Sequence, residues 1–136
     1  MSDVLAAAVA GIEAGVAHAC ELGVKVAVIV LDHTFTPVSL QRIDGTYPSA
    51  VDVARAKAHT ALNFGAPTAA LAERIVAENR AALQAVVPQL MFVAGGLPIR
   101  DGDRLVAAVG VSGASADQDR ECAEAAASAM SAALAG

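Results

Sequence analysis

The fold is decided by one stretch, residues 95–113, which reads Gly-Gly-Leu-Pro-Ile-Arg-Asp-Gly-Asp-Arg-Leu-Val-Ala-Ala-Val-Gly-Val-Ser-Gly. Asp101-Gly102 predicts a tight two-residue hairpin turn, because such turns need positive φ angles and apolar runs flank this pair on both sides. Residues 106–111 are uncharged and either small or β-branched. That composition is typical of a strand covered on both faces, so we place it near the centre of a sheet.

Glycine lies at both ends of this stretch. Gly95-Gly96 and Ser112-Gly113 would bring bare backbone to neighbouring edges of the sheet, where a ligand can approach closely. The alternative reading, that these glycines only make turns, fits their spacing equally well.

Length and composition bound the protein class. The 136 residues predict one domain, residues 1–136, that closes a core without disulfides or a metal. The chain is 56% hydrophobic but only 3% aromatic and has no Trp, which indicates closely packed helices over an Ala- and Val-rich core. A net charge of -5 argues against nucleic acid and anionic membranes as partners. Cys20 and Cys122 are expected to be free, buried thiols in a reducing compartment.

The apolar surplus predicts a homo-oligomer, because a small domain cannot bury that much apolar surface by itself. The amino terminus lacks a basic region before its apolar run, so we expect no signal peptide. No stretch resembles a membrane span with suitable flanks. We therefore expect a cytoplasmic protein.

Outward from the hairpin, the elements follow from periodicity and caps. The first is a helix capped by Ser2 or Asp3 that runs to about residue 22 and stops at Gly23. Two strands (25–31 and 36–42), a helix (50–64), a second helix (68–80, with a weaker patch to 86) and a strand (90–94) follow. After the hairpin, Ser115 and Gln118 form a capping box that opens a last helix to about residue 134.

The predicted order is α-β-β-α-α-β-β-β-α. Because hairpin-type connections dominate, the expected fold is α/β of the α+β type, a mostly antiparallel five-stranded sheet flanked by helices. Pro37 marks its strand as an edge strand or a bulge.

Lys57 is the unusual residue of the second helix. Its helical neighbours Ala50, Val53, Ala61 and Phe64 form an apolar stripe with Lys57 in the middle. A lysine there must extend to solvent, pair with a carboxylate or meet a ligand. We nominate Asp44 as the carboxylate, because its loop leads directly into this helix.

The opposite face of the same helix carries Asp52, Arg55, His59 and Asn63. This pattern is typical of an ordinary solvated surface, so His59 is expected to be structurally neutral. His18 lies opposite the core stripe of the first helix and is expected at the surface or in an interface.

No dinucleotide, P-loop or nucleophile-elbow motif is present, and no histidine pair has the spacing of a zinc site, so we expect no metal site. The polar residues that could converge are Asp32, His33, Arg42, Asp44, Lys57, Thr60 and the Gly95-Gly96 backbone. Such a set suits general acid–base chemistry on a small carboxylate or carbonyl compound. It suits equally the holding of haem propionates, with Arg and Lys as anion partners.

Several of these residues occur in motifs that resemble the GlcG/HbpS-like family. The motifs are Arg42-Ile43-Asp44-Gly45, Ala56-Lys57-Ala58-His59-Thr60-Ala61, Phe64-Gly65-Ala66-Pro67-Thr68, Gly95-Gly96-Leu97-Pro98-Ile99, Asp101-Gly102 and Gly110-Val111-Ser112-Gly113-Ala114, with Ser49 and Gln118-Asp119. They keep the order and spacing of the family over nearly the whole chain.

The resemblance implies a profilin-like fold that assembles into higher oligomers. It also implies links to haem binding, haem degradation, glycolate-utilisation operons and the tail domain of a corrinoid adenosyltransferase. The family usually has Asp and a glycine-rich turn after its first strand, where this chain has Asp32-His33-Thr34-Phe35-Thr36-Pro37. His33 there is either an axial haem ligand, a general base or an exposed turn residue.

Three functions remain open from the sequence. The first is a small-molecule-binding protein with haem as the leading ligand, held by His33, Arg42, Asp44, Lys57, Thr60, Gly95 and Gly96. The second is a cofactor-free lyase, isomerase or hydrolase in which His33, Lys57 and Asp44 are catalytic. The third is an accessory subunit with an empty pocket.

Overall fold

A computed structural model describes residues 3–136, and within them five helices surround one four-stranded antiparallel sheet. The helices and strands are α1 (Val4–Leu22), β1 (Ala27–Asp32), β2 (Pro37–Arg42), α2 (Ala50–Phe64), α3 (Thr68–Ala77), α4 (Leu83–Val86), β3 (Gly96–Asp101), β4 (Arg104–Ser112) and α5 (Ala116–Ala135). The strand order is β2-β1-β4-β3. The α+β class and the antiparallel sheet flanked by helices are therefore confirmed.

The strand β4 lies at the centre, paired with β1 on one side and β3 on the other, and its residues 106–112 are all buried. The hairpin between β3 and β4 is confirmed with a shift of one residue. Asp101 pairs with Arg104, so the two loop residues are Gly102 and Asp103, and Gly102 has a φ of 64°. Positive φ at the first loop position is the arrangement of a type II′ turn.

The predicted number of five strands is wrong, because residues 90–94 form no strand. The Met91 N–H donates to the Thr60 hydroxyl on α2 at 2.8 Å, and the Leu90 carbonyl accepts from the Gln84 amide at 2.9 Å. Both sides of β4 are already paired, with β1 and β3, so this apolar run cannot join the central strand. It packs instead beside α2.

The predicted edge strand and the predicted caps of the first and last helices are confirmed. The strand β2 lies at the sheet edge, with Pro37 opposite Leu31 at an irregularity in register. Asp3 caps α1, whose end at Gly23 has a φ of 72°, and the capping box of Ser115 and Gln118 opens α5. Ser2, the other cap candidate, lies outside the described residues.

The helices α1 and α5 pack together on one face of the sheet, and α2 covers the other. Two glycines let α2 approach the sheet closely. A Cβ on Gly110 would lie 1.9 Å from the Ala54 carbonyl oxygen, and one on Gly96 would lie 2.3 Å from that of Lys57. No real Cβ contact is that short, so the sheet surface under α2 requires glycine at both positions.

The helix α1 is long and apolar enough, by length and composition, to cross a membrane, although the sequence pattern predicted no such segment. Its residues Ala8, Ile12 and Ala19 are fully buried in the core cluster shared with α5. A core helix of this kind passes the same test of length and composition as a membrane span.

Both cysteines are free, as expected, but only Cys122 is buried, while Cys20 is exposed on α1. Burial raises the pKa of the Cys122 thiol to about 11, and the neighbouring Asp119 and Glu121 carboxylates add to the effect. Cys122 is therefore a protonated core residue at neutral pH.

Candidate functional site

A buried ion pair joins α2 to α5 at the end of β4. The Lys57 ammonium donates to Asp119 Oδ2 at 3.0 Å and to the Val111 carbonyl at 3.0 Å. Each of the two residues is only 2% exposed. The other carboxylate oxygen of Asp119 accepts the Ala114 N–H at 3.0 Å. The pair thus links helices from both faces of the sheet.

The nomination of Asp44 as the partner of Lys57 is wrong. Asp44 lies exposed on the loop before α2, whereas the carboxylate beside Lys57 belongs to Asp119. Sequence reasoning missed Asp119 because an acidic residue in the first turn of a helix is usually explained by the helix dipole. Its place next to the Gln118 of the capping box, and the occurrence of Gln118-Asp119 among the family-like motifs, were the sequence signals for it.

Lys57, Thr60, Gly95 and Gly96 do come together, in contacts that are internal to the fold. The Thr60 hydroxyl donates to the Ala56 carbonyl at 2.7 Å and accepts the Met91 N–H at 2.8 Å. A Cβ on Gly95 would lie 3.1 Å from Lys57 Cδ, and Gly95 has a φ of 126°. These residues seat the side chain of Lys57 and the segment before β3.

His33 lies at the opposite end of the sheet. Because Ala27 of β1 pairs with Ser112 and Asp32 pairs with Ala107, the turn after β1 is one strand length from the Lys57 pair. A six-residue strand spans about 20 Å. His33 is exposed there.

The residues proposed as a catalytic trio do not meet as a hydrogen-bonded group. His33 is exposed at one end of the sheet, Lys57 is buried at the other end with its ammonium bonded to Asp119, and Asp44 is exposed on the loop before α2. Acid–base chemistry needs its groups within hydrogen-bond reach of one substrate. The cofactor-free enzyme that the sequence suggested has no such arrangement of these three residues.

A groove at the end of the sheet, which we call the Tyr47 groove, lies near Arg42 and Asp44. It consists of adjoining cavities of about 340 Å³ and 190 Å³ that share Tyr47, Gly113 and Ala114 in their walls. The remaining lining residues are Val24, Lys25, Gly45, Thr46, Ser49, Ala50, Val53, Ser112 and Gln118. The Arg42 guanidinium donates to the Thr46 carbonyl at 3.2 Å beside this groove.

A second cavity, which we call the α2 cavity, has a volume of about 240 Å³ on the outer side of α2. It is lined by Asp52, Arg55, Ala56 and His59 of α2 and by Pro88 and Gln89, which fold back over the helix. The expectation of a solvated helix face holds for Asp52, Arg55 and Asn63, which are exposed. His59 is half-buried and lies beside the segment after α4, a contact that periodicity along α2 alone cannot show.

The polar side chains of the α2 cavity have no partners of their own. Within residues 3–136, neither the Arg55 nor the His59 side chain makes a hydrogen bond or an ion pair. Burial lowers the pKa of the His59 imidazole, and the Arg55 guanidinium lowers it further. The imidazole is therefore neutral at pH 7 and keeps a nitrogen lone pair.

Phe35 holds the His59 ring from the other side. The two ring centroids are 4.7 Å apart with a tilt of 51°. Phe35 has a φ of 64°, which is rare for a bulky residue, and its N–H donates to the Asp32 carbonyl at 2.9 Å. The turn after β1 thus fixes one face of the His59 ring, while the side chain still borders the α2 cavity.

Pre-built metal clusters are absent from the part of the chain that the structure describes: no three His, Cys, Asp or Glu side chains meet in residues 3–136. His18 is half-buried on α1, with Nδ1 3.9 Å from a Glu21 carboxylate oxygen and Nε2 enclosed without a partner among the described residues. It borders neither the Tyr47 groove nor the α2 cavity.

Solved structures share this fold along nearly the whole chain. A double mutant of Streptomyces reticuli HbpS is 36% identical with a TM-score of 0.85, over 94% of this chain and 86% of that one. Klebsiella pneumoniae ORFY is 30% identical with a TM-score of 0.87, over 94% and 90%. PduOC, solved as a haem complex, is 24% identical with a TM-score of 0.82, over 88% of each chain, and shows the fold alone.

A relative in Citrobacter freundii, an uncharacterized 15.0 kDa protein encoded in the dhaT-dhaS intergenic region, is 33% identical over 122 residues, 88% of this chain and 86% of its own. Residues 4–128 match the family model described as haem degrading protein HbpS-like. Because that match spans almost all of the chain and agrees with the fold, the chain belongs to the HbpS-like family.

Proposed function

We propose that this protein binds haem and that the α2 cavity holds it. The observation that carries the proposal is the donor set of that cavity, in which an unpaired guanidinium and a neutral imidazole border one opening in a family described by haem degradation. A protein of the same fold, PduOC, has been solved as a haem complex. That precedent supports haem as the ligand to test first.

The residues present fit the group. Haem offers two propionate carboxylates, a flat apolar ring and an iron that takes an axial ligand. Arg55 supplies a planar cation for a propionate, Ala56 and Pro88 supply apolar walls, and the Asp52 carboxylate and Gln89 border the same opening, so a propionate must lie on the Arg55 side. The cavity, about 240 Å³, is smaller than the roughly 300–1,000 Å³ of pockets that enclose a whole ligand. Part of the ring would therefore lie outside it.

The sequence named other cations as propionate partners, and their positions differ. The ammonium of Lys57 is buried and already bonded to Asp119 and Val111, so it is not presented to a ligand at the surface. Arg42 is exposed beside the Tyr47 groove. Arg42 is therefore the alternative that an experiment must compare with Arg55.

The test is titration of the full chain with haemin, followed by the Soret band. We expect a saturable shift at one haem per chain. Arg55→Ala should weaken the affinity about tenfold, the equivalent of one charge-assisted hydrogen bond. Arg42→Ala serves as the matched control and should leave the affinity unchanged. A wild-type protein without a saturable shift would refute haem binding, and a loss with Arg42→Ala alone would place the ligand in the Tyr47 groove.

A further inference from the structure

We infer that His59 is the side chain that ligates the iron of the bound haem. This inference rests on the proposed function, because it concerns the same α2 cavity. His59 borders that cavity together with Arg55. The two residues are four positions apart on α2, so their side chains leave the helix on the same side, with Cβ atoms about 5–6 Å apart. One ligand can therefore meet the imidazole and the guanidinium at once.

The chain has three histidines, and their positions separate them clearly. The Nε2 atom of His18 is enclosed by protein, and its Nδ1 faces Glu21. His33 stands exposed on the turn after β1, outside every cavity described above. The His59 side chain borders the α2 cavity and makes no hydrogen bond among residues 3–136. It is the histidine with a lone pair available to a ligand in a partly dry site.

The other soft or anionic ligands of iron are less well placed. Cys122 and Met130 are fully buried in the core between α1 and α5. Cys20 is exposed on the same side of the sheet. Tyr47, whose phenolate is a haem ligand in some enzymes, is 71% exposed at the Tyr47 groove and belongs to a different site. Within the described residues, His59 is thus the side chain that combines donor, cavity and cation.

Phe35 adds a second, independent observation. Its positive φ places a bulky residue in a conformation that costs free energy, and the ring it displays packs against His59. Metal-binding histidines are commonly held in one orientation by their surroundings. Phe35 is therefore a positioning residue for the His59 ring.

The experiment compares the three histidines in the full chain. Each is changed singly to Ala, and ferric haemin is titrated at pH 7.4 with the Soret and visible bands and the electron paramagnetic resonance spectrum as readouts. His59→Ala should weaken the affinity at least tenfold and abolish the nitrogen-ligated spectrum. Added imidazole should restore that spectrum, as expected when only the ligand has been removed. His18→Ala and His33→Ala should bind with the wild-type spectrum.

A second variant distinguishes loss of the iron ligand from loss of the fold. His59→Gln keeps a polar side chain of similar length, and circular dichroism of the haem-free variants reports folding directly. A folded His59→Gln or His59→Ala protein with the wild-type spectrum overturns the inference, as does loss of the spectrum with His33→Ala, His18→Ala or Tyr47→Phe instead. Absence of saturable binding by the wild type refutes the proposed function itself, so the two failures are distinguishable.

Discussion

Replacement of Lys57 by Met tests the buried ion pair. Met has a similar volume and no charge, so the packing against Gly95 is kept while the ammonium is lost. The Asp119 carboxylate then remains buried, with only the Ala114 N–H as its partner. Breaking a buried pair by removing one partner costs about 3–5 kcal/mol. Such a loss is a large fraction of the roughly 5–15 kcal/mol that stabilises a domain.

Urea unfolding followed by circular dichroism measures this free energy. We expect a lower midpoint with an unchanged slope, and a melting temperature reduced by roughly 10–20 °C, at about 3–4 °C for each kcal/mol in a domain of this size. Lys25→Met is the matched control, because Lys25 is an exposed lysine near the same end of the sheet, and it should change stability by less than about 0.5 kcal/mol.

The double variant Lys57→Met with Asp119→Asn sharpens the test. It removes both charges, and the Asn side-chain oxygen can still accept the Ala114 N–H. Because replacement of both members of a buried pair is often close to neutral, the double variant should recover most of the stability lost by Lys57→Met. A Lys57→Met protein as stable as the wild type would refute the reasoning, since its ammonium would then be solvated rather than paired.

Three further outcomes are expected. Gly110→Ala should fail to give stable folded protein, because its Cβ would lie 1.9 Å from the Ala54 carbonyl oxygen. Gly102→Ala should cost only about 1 kcal/mol of stability, because its backbone has a positive φ. Equal melting temperatures for the two variants would contradict the packing of α2 against the sheet. Ellman's reagent should label Cys20 in the native protein and Cys122 only after denaturation, because burial raises the pKa of Cys122 to about 11. Labelling of both cysteines in the native state would show that the core opens readily. Light scattering at micromolar concentration should give a mass above the 13.6 kDa of one chain, and a monomer would exclude the expected homo-oligomer.

Local signals in the sequence predicted most of the fold. The central position of β4, the hairpin before it and the caps of α1 and α5 depend on residues within a few positions of one another. The prediction of a strand at residues 90–94 was wrong because an apolar run indicates burial, but it does not show whether the run pairs with a neighbouring strand. The structure places that run beside Thr60 of α2.

The candidate site was harder to predict because it depends on contacts between distant parts of the chain. Lys57 and Asp119 are 62 residues apart, and apart from the family-like motif Gln118-Asp119 no local pattern distinguishes Asp119 from other acidic residues that begin helices. Arg55 is exposed, as the helical pattern indicates, but the cavity beside His59 was not predicted because Pro88 and Gln89, which border it, follow about thirty residues later. Periodicity identifies the buried face of a helix against the sheet, but it does not show which loop returns over the other face.

The packing of α1 against α5 has a consequence for synthesis of the chain. The helix α1 is made first among the described elements, yet the helix that covers much of its apolar stripe, α5, follows all the others. During translation that stripe therefore stays without its partner until α5 has left the ribosome. A nascent chain with such an exposed apolar helix is prone to aggregate and is the kind of chain that chaperones bind. Slow synthesis of the segment between β4 and α5 should prolong that exposure and increase aggregation before release.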